Sequence, residues 1–328
     1  MKEILLIATG GTIASTNQGS GLEPTLMVEK ILEYLPELPE GCHVSGIQLM
    51  NLDSSNIGRP QWKQMILKIE KEYDQYDGFI ILHGTDTLAY TSSVLSYMIQ
   101  QSGKPIIVTG AQHSLVEEGS DGVRNLHDSI CVAMDEKSHG VLVVFDGDVI
   151  VGTRGKKVCT KSNHSIESIN MPRAATVEDG EVHWNIDLQK PESLPVFTHP
   201  KEPSIHLVKV TPYINSELIE LVFHKYDYVV LEGFGSGNLP ELLFDDLKTL
   251  SQRYETLIVV GTQVLKEGTD MSSYEAGRRF LSLERVVEAK DMTMEAVMAK
   301  IMWMQSIGVK ELEEQKRIFQ QVIWYDCM

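Results

Sequence analysis

Short apolar runs of four to six residues alternate along this chain with stretches of helical periodicity, and that alternation leaves few folds open. The first run, residues 4–8, is too short for a helix and reads as a buried strand. Residues 61–74 then carry Trp62, Met65, Ile66, Ile69 and Tyr73 at spacings of three and four, the stripe of an amphipathic helix. The pattern continues with strands at 79–82, 104–109 and 140–145, and helices at 91–100 and 123–134. Phe145-Asp146-Gly147-Asp148 is a hairpin-turn signal and predicts a short return strand. Strands that alternate with helices pair in parallel, because each helix carries the chain back to the same end of the sheet. The expectation is an α/β fold.

Near residue 185 the periodicity stops. Pro191, Pro195, Pro200 and Pro203 crowd the following stretch, which reads as a linker over 186–204. A chain of 328 residues is long enough for two domains. The larger, catalytic one is expected at 1–185, built on a mostly parallel sheet flanked by helices. The smaller one, also parallel α/β, is expected at 205–328. Its strands are read at 205–210, 228–231 and 257–261, each followed by a helix, with closing helices at 293–307 and 310–323.

Composition removes several function classes. The formal net charge is -17, which argues against nucleic acid and anionic membranes as partners, since both demand basic surface. Cys42, Cys131, Cys159 and Cys327 are scattered without a CxxC spacing, so free thiols in a reducing cytoplasm are expected. The apolar run at 4–8 is too short for a signal peptide, and no run approaches the ~18 residues of a membrane span. The Asn163-His164-Ser165 sequon is therefore read as chance. The ten histidines form no ligand cluster, so no metal is expected; His83 reads as structural or supporting, His206 and His224 as ordinary.

In open α/β sheets, ligands bind at the carboxyl ends of strands. Three expected strand ends are polar and marked by glycine: Thr9-Gly10-Gly11-Thr12, His83-Gly84-Thr85-Asp86-Thr87 and Thr109-Gly110-Ala111-Gln112. Taken singly, glycine serves a turn and threonine caps a helix. Three such ends in one sheet point to a shared site. Phosphate-loop chemistry does not fit, because no lysine follows the first glycines and Gly10-Gly11 fails the GxGxxG pattern. The segment from Gly233 to Asn238 lacks the third glycine and misses GxSxG by one position, so it reads as a tight strand-to-helix turn. A threonine hydroxyl is a weak nucleophile that needs a base, and an uncharged lysine can serve. Thr85 and Asp86 supply hydroxyl and carboxylate. Lys156 and Lys157 both qualify as the lysine, and spacing does not choose between them.

Several motifs are recognisable together. TGGTIAS at 9–15, LMNLDSS at 49–55, ILHGTDTLAYT at 81–91, IIVTGAQ at 106–112 and SDGVRNL at 120–126 resemble the bacterial-type L-asparaginases. The likeness runs on through GTRGKK and IESINMP within 152–172, GFGSGNLPE at 233–241, GTDMSSYEAG at 268–277 and AKDMTMEA at 289–296. The Asp53-Ser54 pair is similar to the cytoplasmic, type I branch. The resemblance implies hydrolysis of L-asparagine to L-aspartate and ammonia, no metal or cofactor, and a homodimer or homotetramer. By position, Thr12 matches the nucleophile, and Thr85, Asp86 and Lys157 match the second Thr-Asp-Lys set. Lys157 is preferred over Lys156 because it precedes SIESIN at the family spacing. Gly11, Asp53, Ser54, Thr85, Asp86 and Ala111 match substrate-binding positions, with Asp86 facing the α-ammonium and Ser54 the α-carboxylate.

The chain also departs from that family. Its usual lid tyrosine falls on Leu22, leaving Glu23 and Thr25 as nearby replacements. Gly19 and Gly21 keep the lid hinged, and Asn17, Gln18 and Ser20 keep it polar. An arginine used by some relatives for an allosteric asparagine site falls on Glu232, although Asn238 remains, so that effector site is expected to be lost or altered. Tyr274 and Asp291 are read as residues that approach a neighbouring subunit's site. Two rival functions stand beside hydrolysis of asparagine. One is a glutaminase subunit of a tRNA-linked amidotransferase, opposed by a nucleophile strand that starts at residue 4. The other is a non-catalytic asparagine sensor, opposed by the retained hydroxyl pair and lysine.

Overall fold

The computed structural model describes residues 1–17, 19, 22–35 and 37–328, without the side chains of Asn17 and Leu22. Strand β1 (Lys2–Gly10) leads into a hairpin of β2 (Ser15–Asn17) and β3 (Leu22–Pro24), then helix α1 (Val28–Leu32) and strand β4 (Cys42–Leu52). The alternation continues through α2 (Arg59–Glu72), β5 (Gly78–Leu82), α3 (Leu88–Met98), β6 (Ile99–Gln100), β7 (Pro105–Thr109), α4 (Asp121–Met134) and β8 (Gly140–Phe145). Then follow β9 (Asp148–Val151), β10 (Gly155–Lys157), β11 (Ile166–Ser168), β12 (Ala175–Glu178), β13 (Glu181–Trp184) and β14 (Val196–Phe197). The rest comprises β15 (Ile205–Lys209), α5 (Ser216–Lys225), β16 (Tyr228–Gly233), α6 (Phe244–Arg253), β17 (Leu257–Thr262), α7 (Glu275–Leu281), β18 (Val286–Glu288), α8 (Met294–Ile307) and α9 (Leu312–Gln320).

The fold is α/β in two units, Met1–His199 and Pro200–Met328. The larger unit holds an eight-stranded sheet in the order β13-β12-β9-β8-β7-β5-β1-β4. From β4 to β8 neighbouring strands are parallel, and β9, β12 and β13 continue the sheet antiparallel. Strands β5, β7 and β8 are buried at every residue. Helices cover both faces of such strands, which is why their sequences are unbroken apolar runs. Asp146 and Gly147, both with positive φ, close the tight turn from β8 to β9 in the way the sequence predicts. The smaller unit carries a four-stranded parallel sheet, β15-β16-β17-β18. All four cysteines are free thiols.

Two local expectations shift. The third helix spans Leu88–Met98 rather than 91–100, and Ile99–Gln100 instead pairs with Val196–Phe197. Nearly every residue of α3 is buried, so no polar stripe marks where it begins or ends. That pairing also docks part of the stretch expected as a linker. Thr198 N–H donates to Met98 O at 2.7 Å, and the Phe197 ring meets Tyr73 edge-on at 5.5 Å. Prolines mark this chain as irregular, not as detached.

Two buried ionisable groups bear on stability. In the smaller unit Lys300 lies almost fully buried on α8, where its ammonium donates to Asp326 Oδ2 at 2.7 Å and to Gln321 O at 2.6 Å. Burial weakens the lysine's hold on its proton, and the Asp326 carboxylate opposes that effect. In the larger unit, β5 runs on into His83, which is wholly buried. Burial disfavours its cation and brings its pKa from 6.5 down to about 4.

Lys300→Met removes the counter-charge of a buried carboxylate and should cost about 3–5 kcal/mol in urea unfolding. Lys300→Met/Asp326→Leu should recover most of that loss, and a single variant as stable as the parent would refute the account. His83 produces a pH effect of definite sign. Between pH 6.5 and about 4 an unfolded chain binds a proton at this residue and the folded chain does not. Its contribution is therefore complete above 6.5 and declines as the pH falls towards 4. Parent stability should drop about 2–3 kcal/mol more than that of His83→Asn between neutral pH and about pH 4.5, read from paired urea curves.

Candidate active site

Strands β4, β1, β5 and β7 are consecutive neighbours and all parallel, so their carboxyl ends share one edge of the sheet. Each end carries residues singled out in the sequence: Asp53-Ser54 after β4, Gly11-Thr12 after β1, His83 to Asp86 after β5, and Ala111-Gln112 after β7. The ends are brought unusually close. A Cβ on Gly11 would lie 2.3 Å from Gly84 N and 2.4 Å from Gly84 Cα. A Cβ on Gly84 would lie 2.6 Å from Ser54 Oγ and 3.1 Å from Gly11 Cα. Gly11 also has φ of 80°, a conformation that side chains disfavour. Glycine is therefore required where Gly11, Gly84 and Ser54 meet.

Hydrogen bonds tie these ends together. Gly11 N–H donates to Leu52 O at 2.9 Å, Thr9 Oγ1 to Leu82 O at 2.6 Å, and Thr87 Oγ1 to Ser54 O at 2.6 Å. Thr12 opens a short 3₁₀ turn over Thr12–Ala14 and is half-buried. Among the described residues, no hydrogen-bond partner meets its hydroxyl. Thr85 is buried, with only 4% of its surface exposed. The Lys157 ammonium donates to Thr85 Oγ1 at 2.7 Å and to Asp86 Oδ1 at 2.6 Å. Asp86 itself is exposed and Lys157 largely covered, which leaves the carboxylate open to an incoming cation. Consecutive strand residues point to opposite faces, so Lys156 and Lys157 on β10 cannot both turn this way. Of the two, Lys157 is the one that reaches Thr85 and Asp86.

The remaining expected residues are placed less evenly. Asp53 accepts from Ser55 N at 2.8 Å and from Ser55 Oγ at 2.5 Å. These bonds hold its carboxyl below the usual carboxylate range and make it the cap of the following turn. Ser54 is buried against Gly84, and Ala111 is wholly buried. Next to Ala111, Gln112 engages the site: Thr85 Oγ1 donates to Gln112 Oε1 at 3.4 Å, and Gln112 Nε2 donates to Ser162 O at 3.1 Å. Asp121 holds the strand end by accepting from Gln112 N and His113 N, both at 2.9 Å. Neither Gln112 nor Asp121 was read as functional from sequence. The signal was an amide side chain at a polar strand end and an acidic residue just after the Ser120 helix cap.

The hairpin β2–β3 is fastened at its base. Thr25 N–H and Leu26 N–H both reach Ala14 O at 2.9 Å, and Asn51 Nδ2 donates to Pro24 O at 2.5 Å. Thr25 Oγ1 pairs with Thr16 Oγ1 at 2.6 Å, and Glu23 is exposed. The side chains of Leu22 and Asn17, with Gln18, Ser20 and Gly21, lie outside the described residues. In the smaller unit, Phe234 and Asn238 exchange two backbone hydrogen bonds of 2.9 and 2.7 Å, so the glycine-rich segment is a closed turn. Lys209 Nζ stands 3.8 Å from the Glu232 carboxylate. Tyr274 is exposed, and the Asp291 carboxylate accepts from Met328 N at 3.1 Å. His206 stacks on Tyr226, and His224 meets Tyr254 edge-on. Among the described residues, no helix is long and apolar enough to cross a membrane.

The chain is similar in sequence and fold to known proteins. Residues 3–190 match the family model described as asparaginase, N-terminal, and residues 204–319 match that of the glutaminase/asparaginase C-terminal domain. An L-asparaginase of Thermococcus kodakarensis is 34% identical over 324 residues, covering 98% of each chain. The solved structure of a thermostable L-asparaginase from that organism superposes with a TM-score of 0.93 at 33% identity, covering 99% of each chain. The structure of L-asparaginase I from Vibrio cholerae gives 0.88 at 30% identity, covering 100% of this chain and 99% of that one. A glutamyl-tRNA(Gln) amidotransferase chain of Pyrococcus abyssi is 30% identical over 335 residues, covering 97% of this chain and 75% of that one. Both halves of the chain match, and the whole-length relatives agree: this protein belongs to the asparaginase family of amidohydrolases.

Proposed function

We propose that this chain hydrolyses L-asparagine to L-aspartate and ammonia at the joined ends of β4, β1, β5 and β7. The observation that carries the reading is the Lys157 ammonium bonded to both Thr85 and Asp86 at the strand end packed against Gly11. A carboxamide resists water because its carbonyl is a weak electrophile and its nitrogen a poor leaving group. The reading answers both problems.

Thr12 Oγ attacks the side-chain carbonyl carbon of asparagine, and the carbonyl oxygen becomes an oxyanion. Backbone N–H groups at the glycine-lined strand ends stabilise that charge, and such stabilisation often contributes more than any other effect to this kind of catalysis. The Thr12 proton passes through the Thr85 hydroxyl to Lys157. Lys157 takes part in this step as the uncharged amine, which can accept that proton, while the substrate α-ammonium pairs with Asp86. The same path returns the proton to the amide nitrogen, and the C–N bond breaks to free ammonia. An aspartyl ester then links the substrate to Thr12, and water cleaves it to aspartate and regenerates the hydroxyl. Ser54 and its neighbouring backbone meet the α-carboxylate. No tyrosine is needed in this scheme, in keeping with Leu22 at the lid position. The reading extends to a cytoplasmic enzyme that acts as a homodimer or homotetramer, with Tyr274 and Asp291 near a neighbouring subunit's site.

The amidotransferase relative supports one second reading, a glutaminase that supplies ammonia to a partner enzyme. Substrate choice separates the two. Purified protein should release ammonia from L-asparagine faster than from L-glutamine, and Thr85→Ala should lower the asparagine rate by about a hundredfold or more. Faster release from glutamine would move the assignment to the second reading. Asparagine that raises the melting temperature without any ammonia release would make the protein a sensor and refute both.

A further inference from the structure

Glycine at position 84 solves one problem and creates another. It lets β5 approach β1, but it leaves the Gly84–Thr85 peptide free to rotate, since glycine places little restriction on its own dihedrals. A trans peptide is planar, and its C=O and N–H point in opposite directions. Whatever holds the Gly84 carbonyl therefore also aims the Thr85 N–H.

The Gly84 carbonyl is held by His83, whose Nδ1 lies 2.7 Å from it. A carbonyl only accepts, so the proton sits on Nδ1 and Nε2 is a lone pair. Nε2 lies 2.8 Å from Thr91 Oγ1. Trp62 Nε1, which only donates, reaches the same Thr91 Oγ1 at 2.9 Å, so the Thr91 hydrogen is directed to His83 Nε2. Every group in this series has one consistent role: indole to hydroxyl, hydroxyl to imidazole, imidazole to carbonyl. His83 and Thr91 are completely buried, and burial keeps the ring neutral well below neutral pH. A neutral ring with a fixed tautomer is a lasting clamp. On the opposite side of the peptide, among the described residues, no acceptor meets the Thr85 N–H.

We propose that His83 is a positioning residue: its Nδ1–H, oriented by Thr91 and Trp62, fixes the Gly84–Thr85 peptide so that the Thr85 N–H faces the reacting carbonyl. This rests on the asparagine-hydrolysing reading of the same site. Without the clamp, the peptide swings and the donor leaves the developing oxyanion.

The test compares His83→Leu, His83→Asn and Thr91→Val with the parent. Asparagine Nδ2 takes the place of histidine Nδ1 and still donates to Gly84 O, whereas leucine cannot. His83→Leu should lower kcat for L-asparagine about tenfold or more with KM changed less than about twofold, because the lost donor acts on the transition state. His83→Asn should stay within about threefold of the parent kcat, although both variants lose some packing and melt earlier. Thr91→Val keeps the ring but removes its orienting hydroxyl. Nitrogen NMR should show an Nδ1–H tautomer in the parent and a shift towards Nε2–H in Thr91→Val, with a matching fall in kcat. Equal losses in the leucine and asparagine variants, or an unchanged kcat in His83→Leu, would overturn the positioning role. A parent that releases no ammonia refutes the hydrolytic reading instead. The clamp is then judged by L-aspartate binding, which should weaken about fivefold in His83→Leu and recover in His83→Asn. Equal affinity in all three would overturn it.

Discussion

The contact of Gly11 with Gly84 is the constraint on which the rest of the site depends. Two parallel strands lie about 4.7–4.9 Å apart, and side chains at their ends would ordinarily widen the gap beyond them. Here the backbones meet directly, with room for no Cβ on either side, and Ser54 closes on Gly84 from the next strand. Three polar strand ends thus become one surface. Thr12 and Thr85 follow these glycines immediately, so the distance between two hydroxyls is governed by main chain, the least adjustable part of the molecule. Loops would place the same groups with far more freedom.

A second constraint orients what the first brings together. Lys157 arrives from β10, a strand outside the large sheet, and its two bonds to Thr85 and Asp86 fasten that small hairpin to the end of β5. Gln112 adds a link from Thr85 to Ser162, in the loop between β10 and β11. The lysine is thus both a chemical group and a tether. Loss of either role would slow the reaction, which is why the hydroxyl of Thr85, rather than the lysine, is the cleaner place to probe chemistry.

Much of this was legible in the sequence, for physical reasons that differ from element to element. Strands buried on both faces, such as β5, β7 and β8, announce themselves as apolar runs. The positions of Gly11-Thr12 and His83 to Asp86 follow from where those runs end. Strand β4 was not legible as a strand. It lies at the sheet edge with one neighbour, and Ser45, Gly46, Gln48 and Asn51 interrupt any apolar pattern. Its end was found only through the likeness of LMNLDSS to a family. Lys157 was chosen over Lys156 only through the family spacing, because β10 is a three-residue element too short to show periodicity. Gln112 and Asp121 were hidden differently: both fall inside quoted motifs, IIVTGAQ and SDGVRNL, but their roles depend on contacts made in the fold. His83 was read as structural or supporting, but the series it joins was not legible, since Trp62, His83 and Thr91 come from separate elements.

The most direct test of this account is Gly11→Ala, assayed for ammonia release from L-asparagine beside its melting temperature. The added methyl would meet the Gly84 backbone, which cannot yield as a flexible side chain could. The account predicts a folded protein, melting somewhat earlier, whose activity falls by about a hundredfold or more, because small displacements of reacting groups cost that much. Activity within about threefold of the parent would show that the close approach of β1 and β5 is not what builds the site.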